Sequence, residues 1–305
     1  MLKIRRIVLL LIVALLVART ATADQGILLL AHGGSEEWNG RVTELAAKVG
    51  ATRPTEVAFG MATRASIQGA VDRLVTRGVS EIVAVPLFVS SWSTVITSTE
   101  YLLGLRTDAP AALAVFAKTN HAPAPASTSN AAHVHDTHTD VDGTTPVASP
   151  VPVRMTAALN DHPITAEILA SRARAISRDP AREVVIIVAH GPNEDEDNHR
   201  WLADMAALAR RITQTEKFAA VEYLTLRDDA PEPVRDAATE QLRATVRRQL
   251  AAGRRALVVP LLISFGGIES GVRQRLEGLD YTMTASALMP DDRLVSWVLA
   301  MADSR

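Results

Sequence analysis

The sequence contains no cysteine among its 305 residues. This excludes disulfides, thiolate metal sites, redox pairs and a cysteine nucleophile, and it leaves histidine, aspartate and glutamate as the strong metal ligands. The sequence also lacks a basic excess, because 32 lysines and arginines are balanced by 34 aspartates and glutamates, for a net charge of −2. Nucleic-acid-binding proteins usually carry a basic excess or a basic stripe, so we do not expect nucleic acid as a partner.

Several well-known catalytic signatures are also missing. There is no phosphate-binding loop of the GxxxxGKS or GxxxxGKT type, no GxGxxG after a strand, no GxSxG elbow and no HExxH motif. We therefore expect no nucleotide cofactor and none of the enzyme classes that these motifs define. The composition, with 48% apolar and 22% charged residues, is that of a globular protein, and the length suits two lobes.

The first 23 residues have the pattern of an export signal. Lys3, Arg5 and Arg6 precede an apolar run at 7–17, and a small-x-small cleavage pattern follows at 21–23. The apolar run is shorter than the roughly 20 residues that span a bilayer. We expect cleavage, export to the periplasm and no stable membrane insertion afterwards; the alternative is an uncleaved anchor.

After the signal, apolar runs alternate with amphipathic stretches. The sequence predicts buried strands at 26–31, 55–59 and 82–89, separated by helices at 37–49 and 67–76. Apolar strands that alternate with helices are typical of a parallel sheet covered on both faces. We therefore predict an α/β lobe in this half of the chain.

The same pattern returns in the second half. It predicts strands at 184–189, 221–226 and 256–264 and helices at 201–213 and 234–250. Each half opens with a strand that runs into Ala-His-Gly, and each later contains Val-Pro-Leu within an apolar run. Two signals that recur in the same order indicate duplication of one α/β unit.

These patterns divide the mature chain into three parts. We predict an N-terminal lobe at 24–117, a flexible insert at 118–153 and a C-terminal lobe at 154–305. The insert is rich in Ala, Pro, Ser, Thr and His and has no hydrophobic periodicity. Helical structure is expected to resume at Ile164, with Asp161 as N-cap and Pro163 in the first turn.

The insert contains a group of histidines that suits a divalent metal. His133, His135 and His138, together with Asp136, are able to gather around an ion in a flexible chain. One interpretation is an auxiliary collector that supplies metal to the lobes. The alternative is a solvated linker with incidental histidines.

His32 and His190 are the strongest candidates for chemistry. Each follows a buried strand at its carboxyl end, where open α/β sheets place their ligand crevices. Imidazole is the commonest protein metal ligand and titrates near neutral pH. The glycine after each histidine permits a sharp turn that presents the ring to a cleft. The alternative is a structural histidine that is hydrogen-bonded at a strand end.

An acidic run at 193–199 directly follows the second Ala-His-Gly. Acids are favoured in the first turn of a helix by its dipole, and we prefer this interpretation. Collection of cations at the mouth of a cleft is the alternative. In the first half, residues 35–37 are expected to cap a helix in the same way.

The paired strand-AHG and VPL signals, and their duplication, resemble the sirohydrochlorin chelatase family of the CbiX and SirB type. The resemblance covers 26–116 and 157–302, including the segments DHP, VEYLTLRDDAP and VPLLISFGGIESG. It implies two lobes facing across a cleft and ATP-independent insertion of cobalt, iron or nickel into a sirohydrochlorin-like tetrapyrrole, as in cobalamin or siroheme biosynthesis. It further implies that His32 and His190 act as metal ligand and proton acceptor, in roles that the sequence does not distinguish.

The resemblance is incomplete at two positions. The family adds a histidine after the VPLF strand and often a glutamate after the second strand, whereas Thr94, Gly60 and Met61 stand near those places here. In the second lobe the corresponding residues are Thr225 and Glu269. Glu269 is a candidate third metal ligand; the alternative is an acid at a helix start.

A tetrapyrrole with many carboxylates calls for cationic partners. Arg227, Arg273 and Arg275 follow strands of the second lobe and are candidates for substrate binding; the alternative is that they are ordinary surface arginines. The sequence thus predicts an exported chelatase that uses a divalent metal and a tetrapyrrole as substrates. Two alternatives stay open: a non-catalytic carrier of metal or tetrapyrrole, and a scaffold that has kept the fold and lost the site.

Overall fold

The computed structural model describes residues 25–119 and 143–304. The predicted export signal and the histidines of the predicted collector, His133, His135 and His138, lie outside these residues. Within the described residues, the histidines, aspartates and glutamates form no cluster of three or more that could hold a metal ion. None of the described helices has the length and apolar character needed to cross a membrane.

The first half folds around a four-stranded parallel sheet in the order β2-β1-β3-β4. Its strands are β1 Gln25–Ala31, β2 Thr55–Phe59, β3 Glu81–Pro86 and β4 Val153–Met155. The central strand β1 is buried from Gly26 onward because helices cover both faces of the sheet. Burial on both faces explains why this strand reads as a continuous apolar run.

The second half repeats the arrangement in a parallel sheet of the order β6-β5-β7-β8. Its strands are β5 Glu183–Ala189, β6 Ala220–Thr225, β7 Arg255–Leu261 and β8 Thr282–Met283. The registers correspond, since Ala31 pairs with Phe59 and Ala189 with Thr225 at the carboxyl ends. The predicted fold of two duplicated α/β lobes with parallel sheets is confirmed.

Nine α-helices in the described residues surround the two sheets. They are α1 Glu36–Gly50, α2 Arg64–Thr76, α3 Thr94–Leu102, α4 Ala111–Thr119, α5 Pro163–Ile176, α6 Asp195–Thr215, α7 Glu232–Ala251, α8 Ile268–Arg275 and α9 Arg293–Asp303. Ser35 caps α1, and its hydroxyl accepts a hydrogen bond from the Trp38 N–H at 3.2 Å. The acidic run at 193–199 belongs to the start of α6, as preferred from the sequence.

The cap of α5 differs from the prediction. His162, and not Asp161, is the N-cap residue, because its Nδ1 accepts a hydrogen bond from the Ile164 N–H at 3.2 Å. Pro163 occupies the first helical position as expected. A ring nitrogen one residue further along thus takes the position that the sequence suggested for a carboxylate.

Residues 143–153 correct the predicted extent of the insert. The Val147 N–H donates to the Leu102 carbonyl at 2.7 Å, and Arg64 Nε donates to the Thr145 carbonyl at 2.9 Å. The chain then enters β4, where Val153 pairs with Ile82. Val147, Val151 and Val153 of this segment pack against the apolar cluster of the first lobe. The predicted lobe boundary at 154 therefore falls inside a strand of the first sheet.

One apolar cluster is continuous across the two lobes, and each lobe has a further cluster of its own. The C-terminal helix α9 packs against α1 and β3 of the first lobe, and α5 packs against β7 and α6 of the second. The largest buried side chain of α9 is that of Trp297, which is 1% exposed. Because the chain returns to the first lobe at its end, the interface between the lobes is built as a protein interior.

Candidate functional site

The two Ala-His-Gly turns have the same backbone conformation. His32 follows β1 and His190 follows β5, and the next glycines have φ of 82° and 77°. Position 191 requires glycine also for space, since a Cβ there would lie 2.6 Å from the Thr225 Cβ. A left-handed glycine at each turn ends the strand and leaves the preceding histidine at the carboxyl edge of its sheet.

His32 lies at an exposed edge. Its Nδ1 is 2.7 Å from the Gly33 carbonyl oxygen, and the turn behind it is held by Asn39, whose side chain accepts from the Gly34 N–H at 2.9 Å. In residues 25–119 and 143–304, no carboxylate forms an ion pair with the His32 ring. The first lobe thus presents an imidazole without an acidic partner among the described residues.

His190 has a carboxylate partner. Its Nε2 lies 3.4 Å from Asp229 Oδ2, and the two side chains are 29% and 70% exposed. Metal–nitrogen and metal–oxygen bonds of about 2.0–2.2 Å place neighbouring tetrahedral ligand atoms about 3.4 Å apart. The pair therefore has the spacing of two ligands of one divalent ion, and equally that of a weak charge-assisted contact.

Asp229 is a site residue that the sequence analysis did not name. It follows β6, the strand that lies beside β5, so the parallel register brings it to the same sheet edge as His190. A signal was present in the sequence, because two aspartates stand one residue after a predicted strand in the segment VEYLTLRDDAP. Neighbouring parallel strands were not assigned from the sequence, so the pairing was missed.

The three predicted substrate arginines have different surroundings. Arg227 is 9% exposed, and its guanidinium binds two backbone carbonyls of the loop after β5 and Asp195 at the start of α6. Arg275 forms an ion pair with Asp228. Arg273 is exposed on α8. Two of the three guanidiniums are thus engaged within the lobe, and contact with a substrate stays a prediction for all three.

Glu269 has the role of a helix-start acid. Its Oε2 accepts hydrogen bonds from the Gly266 N–H at 3.0 Å and the Gly267 N–H at 2.9 Å, at the start of α8. Burial acts to raise the pKa of Glu269, but the backbone donors outweigh it and hold the pKa below its usual value. The described residues do not assemble His32, His190 and Glu269 into a three-ligand metal site.

The structure also defines the positions at which the family that the sequence resembles carries additional ligands. Thr94 is the first residue of α3 and is exposed, one residue after the N-cap Ser93. Gly60 donates its N–H to the Ala31 carbonyl at 2.9 Å, next to the first turn. Neither residue carries a side chain that replaces a histidine or a glutamate as a metal ligand.

Each helix that follows an Ala-His-Gly turn places a tryptophan against the opposite lobe. Trp38 of α1 lies against Gly266, where a Cβ would be 3.2 Å from its Cδ1. In the second lobe, Trp201 of α6 donates its indole N–H to the Trp92 carbonyl at 2.7 Å. Gly266 and Trp92 follow β7 and β3, so the carboxyl edges of the two sheets meet through paired contacts.

The Trp92 side chain is held from the second lobe. Its indole N–H donates to Asp204 Oδ2 at 3.1 Å, and the Arg200 guanidinium lies 4.8 Å from its ring centroid. Burial raises the pKa of Asp204, against the effect of this hydrogen bond, and nearby Asp161 adds to the rise. Local sequence patterns did not predict these contacts between the lobes.

Comparison with known proteins identifies a matching family model and solved structures with a similar architecture. The CbiX family model matches residues 26–176, whereas no curated protein sequence matches the chain. SirB from Bacillus subtilis with Fe3+ is 13% identical, with a TM-score of 0.58 over 91% of this chain and 94% of that one. SirB of B. subtilis subspecies spizizenii, a sirohydrochlorin chelatase in complex with cobalt, is 13% identical, with a TM-score of 0.55 over 92% and 94%.

A third structure shares the fold. DR2241 from Deinococcus radiodurans, a multi-domain protein with structural similarity to chelatases, is 20% identical, with a TM-score of 0.52. The match covers 93% of this chain and 56% of that protein. At these identities the structural likeness establishes the two-lobed fold.

Proposed function

We propose, from the premise that this chain belongs to the CbiX family of chelatases, that it inserts a divalent metal into a sirohydrochlorin-like tetrapyrrole without a nucleotide. The observation that carries the proposal is the 3.4 Å contact between His190 Nε2 and Asp229 Oδ2 at the carboxyl edge of the second sheet. An imidazole and a carboxylate at this spacing suit Co²⁺, Fe²⁺ or Ni²⁺, which accept nitrogen and oxygen ligands.

In the proposed mechanism, His190 and Asp229 hold the metal, and water or the tetrapyrrole completes its shell. Two ligands bind an ion more weakly than three or four, which suits an ion that must be passed on. Metal insertion releases two protons from the pyrrole nitrogens for each ion. His32 is exposed and has no acidic partner in the described residues, and we assign it the role of proton acceptor, which takes the two protons one after the other and passes each to water.

The experiment is anaerobic turnover with sirohydrochlorin and Co²⁺, followed by the absorbance change of the tetrapyrrole. The variants are His190→Ala, Asp229→Asn and His32→Ala, with Asp236→Asn, an exposed carboxylate on α7, as the matched control. We expect multiple turnovers in the wild type and the control, and a loss of at least tenfold in the three site variants. Turnover that survives both His190→Ala and His32→Ala contradicts the proposal.

A carrier is the second candidate function. The observation that favours it is that the described residues contain no cluster of three metal-ligating side chains. Thr94 and Gly60 stand near the places of the family's additional ligands and supply no equivalent side chain. A carrier saturates at one equivalent of metal or tetrapyrrole, whereas a chelatase releases many metallated products. The number of metallated products per protein in the turnover experiment therefore separates the two functions.

We also propose that the protein acts after export. The support is the sequence of residues 1–23, with its basic start, apolar run and small-x-small cleavage pattern. Expression of the full chain in a bacterium, followed by periplasmic extraction and N-terminal sequencing, tests this. We expect the extracted protein to begin at Asp24; retention in the cytoplasm with an intact N-terminus contradicts it.

A further inference from the structure

Arg227 has an unusual backbone for its residue type. Its φ is 55°, in the left-handed region that residues other than glycine, asparagine and aspartate rarely adopt. Its N–H donates to the His190 carbonyl at 2.6 Å, and its own carbonyl accepts from the Ala230 N–H at 3.0 Å. Strained residues of this kind persist where the surrounding contacts fix them, and they cluster at functional sites.

The Arg227 side chain continues the same connection. Its Nε donates to the Pro192 carbonyl at 3.1 Å, its Nη1 to Asp195 Oδ1 at 2.5 Å, and its Nη2 to the Asn193 carbonyl. The guanidinium thus binds two carbonyls of the loop that follows His190 and the first residue of α6. A planar group with five donors is suited to bind several acceptors at once.

Arg227 therefore joins the two loops that carry the His190–Asp229 pair. One loop runs from His190 to the start of α6, and the other contains Arg227 and Asp229. We infer that Arg227 is a positioning residue, which holds His190 and Asp229 in the arrangement that receives the metal ion. This role differs from direct substrate binding, because the Arg227 side chain is 11% exposed and its donors bind acceptors of its own lobe. The inference rests on the proposed function.

The first lobe supplies an internal comparison. Gly60 and Leu226 donate equivalent hydrogen bonds to Ala31 and Ala189, both at 2.9 Å, so Met61 holds the position of Arg227. A methionine side chain has no N–H donor and cannot bind a loop in this way. His32 correspondingly lies exposed without an acidic partner in the described residues, whereas His190 faces Asp229.

The comparison also defines the substitution. Arg227→Met places the first-lobe residue in the second lobe, and Arg227→Lys keeps the charge but loses the fork of donors. Arg243→Met is the matched control, since Arg243 also donates to backbone carbonyls, those of Arg275 and Glu277, in the same lobe. Each variant is measured for its Co²⁺ dissociation constant by anaerobic absorbance titration and for its melting temperature.

We expect Arg227→Met to weaken Co²⁺ binding by at least tenfold, as loss of an outer residue typically weakens a metal site by 10–100-fold. Arg227→Lys should fall between Arg227→Met and the wild type, and Arg243→Met should bind Co²⁺ as the wild type does. A merely structural role would lower the melting temperature of Arg227→Met and Arg243→Met alike. Wild-type Co²⁺ affinity in folded Arg227→Met or Arg227→Lys overturns the inference.

A second readout separates this inference from the proposed function. If the wild type binds no Co²⁺ through His190, the proposed function fails, and the ring ¹⁵N and ¹H NMR signals of His190 then decide the inference. Signals in Arg227→Lys that move toward those of His32 support it. Signals that are unchanged from the wild type overturn it.

Discussion

The indole N–H of Trp201 donates a hydrogen bond to the backbone carbonyl of Trp92, 2.7 Å away and on the opposite lobe. Trp201 is 9% exposed, so the bond is formed largely out of water. It fixes the loop after β3 against the helix that follows the second Ala-His-Gly turn. Together with the contact of Trp38 at Gly266, it sets the separation of the two sheet edges on which the proposed site depends.

Removal of this hydrogen bond should destabilise the protein. Trp201→Phe leaves the Trp92 carbonyl without its donor, and we expect the free energy of unfolding to fall by about 1–3 kcal/mol. Urea denaturation measures the change. Trp38→Phe is the control, because its indole N–H donates no hydrogen bond within the described residues. An equal loss in both variants would show that ring volume, and not the hydrogen bond, stabilises the interface.

Gly191 should tolerate alanine poorly. Gly191 and Gly253 have similar φ, 77° and 71°, but a Cβ at Gly191 meets Thr225 at 2.6 Å, whereas nothing lies within 4 Å at Gly253. Gly253→Ala should cost about 1 kcal/mol from backbone strain alone. We expect Gly191→Ala to cost at least 1 kcal/mol more, since the turn itself must shift. Chemical denaturation of both variants checks this, and equal costs would contradict it.

Glu269 should affect stability and not metal binding. Glu269→Ala removes the acceptor for two backbone N–H groups at the start of α8, and we expect a loss of about 0.5–2 kcal/mol. Co²⁺ affinity, measured by calorimetry, should stay at the wild-type value because Glu269 belongs to no cluster of three metal-ligating side chains in the described residues. A clear loss of affinity would instead make Glu269 a metal ligand, as the sequence alone allowed.

Asp291 should stabilise the fold in a pH-dependent way. Arg293 Nη2 and Arg172 Nη2 lie 2.7 and 3.6 Å from its Oδ2, and the side chain is 11% exposed. Burial acts to raise the pKa of Asp291, but these partners outweigh it and hold the pKa below its usual value. Because the pKa is lower in the folded state, the stabilisation is present above the unfolded value of about 3.9 and is lost as the pH falls through the folded pKa.

The variant Asp291→Asn tests this sign. At pH 7 we expect it to lower the free energy of unfolding by about 1–3 kcal/mol, and the difference from the wild type should shrink as the pH drops below about 4. Asp292→Asn is the control, since Asp292 is 81% exposed in its ion pair with Lys48, and such pairs contribute little. A difference that is the same at pH 7 and pH 3 would contradict the assignment.

The strands that the sequence predicted best are those buried on both faces. β1 and β5 are continuous apolar runs, and the prediction for β2 matches Thr55–Phe59. β3 was predicted to reach residue 89 but ends at Pro86, because Leu87 is buried in a loop and periodicity does not distinguish the two cases. β4 and β8 were missed, since three and two residues are too few to show a pattern.

The sequence by itself determined the duplication, the strand-to-turn sites of His32 and His190, and the ligand chemistry available without cysteine. These follow from local pattern, because burial selects apolar residues and a left-handed turn selects glycine. Only the tertiary structure decided that Asp229 meets His190, that Glu269 accepts from two backbone N–H groups at the start of α8, and that Arg227 binds the loop after β5. Each of these pairings depends on which strands lie side by side and which donors a loop leaves unmet, and neither property is encoded in local sequence spacing.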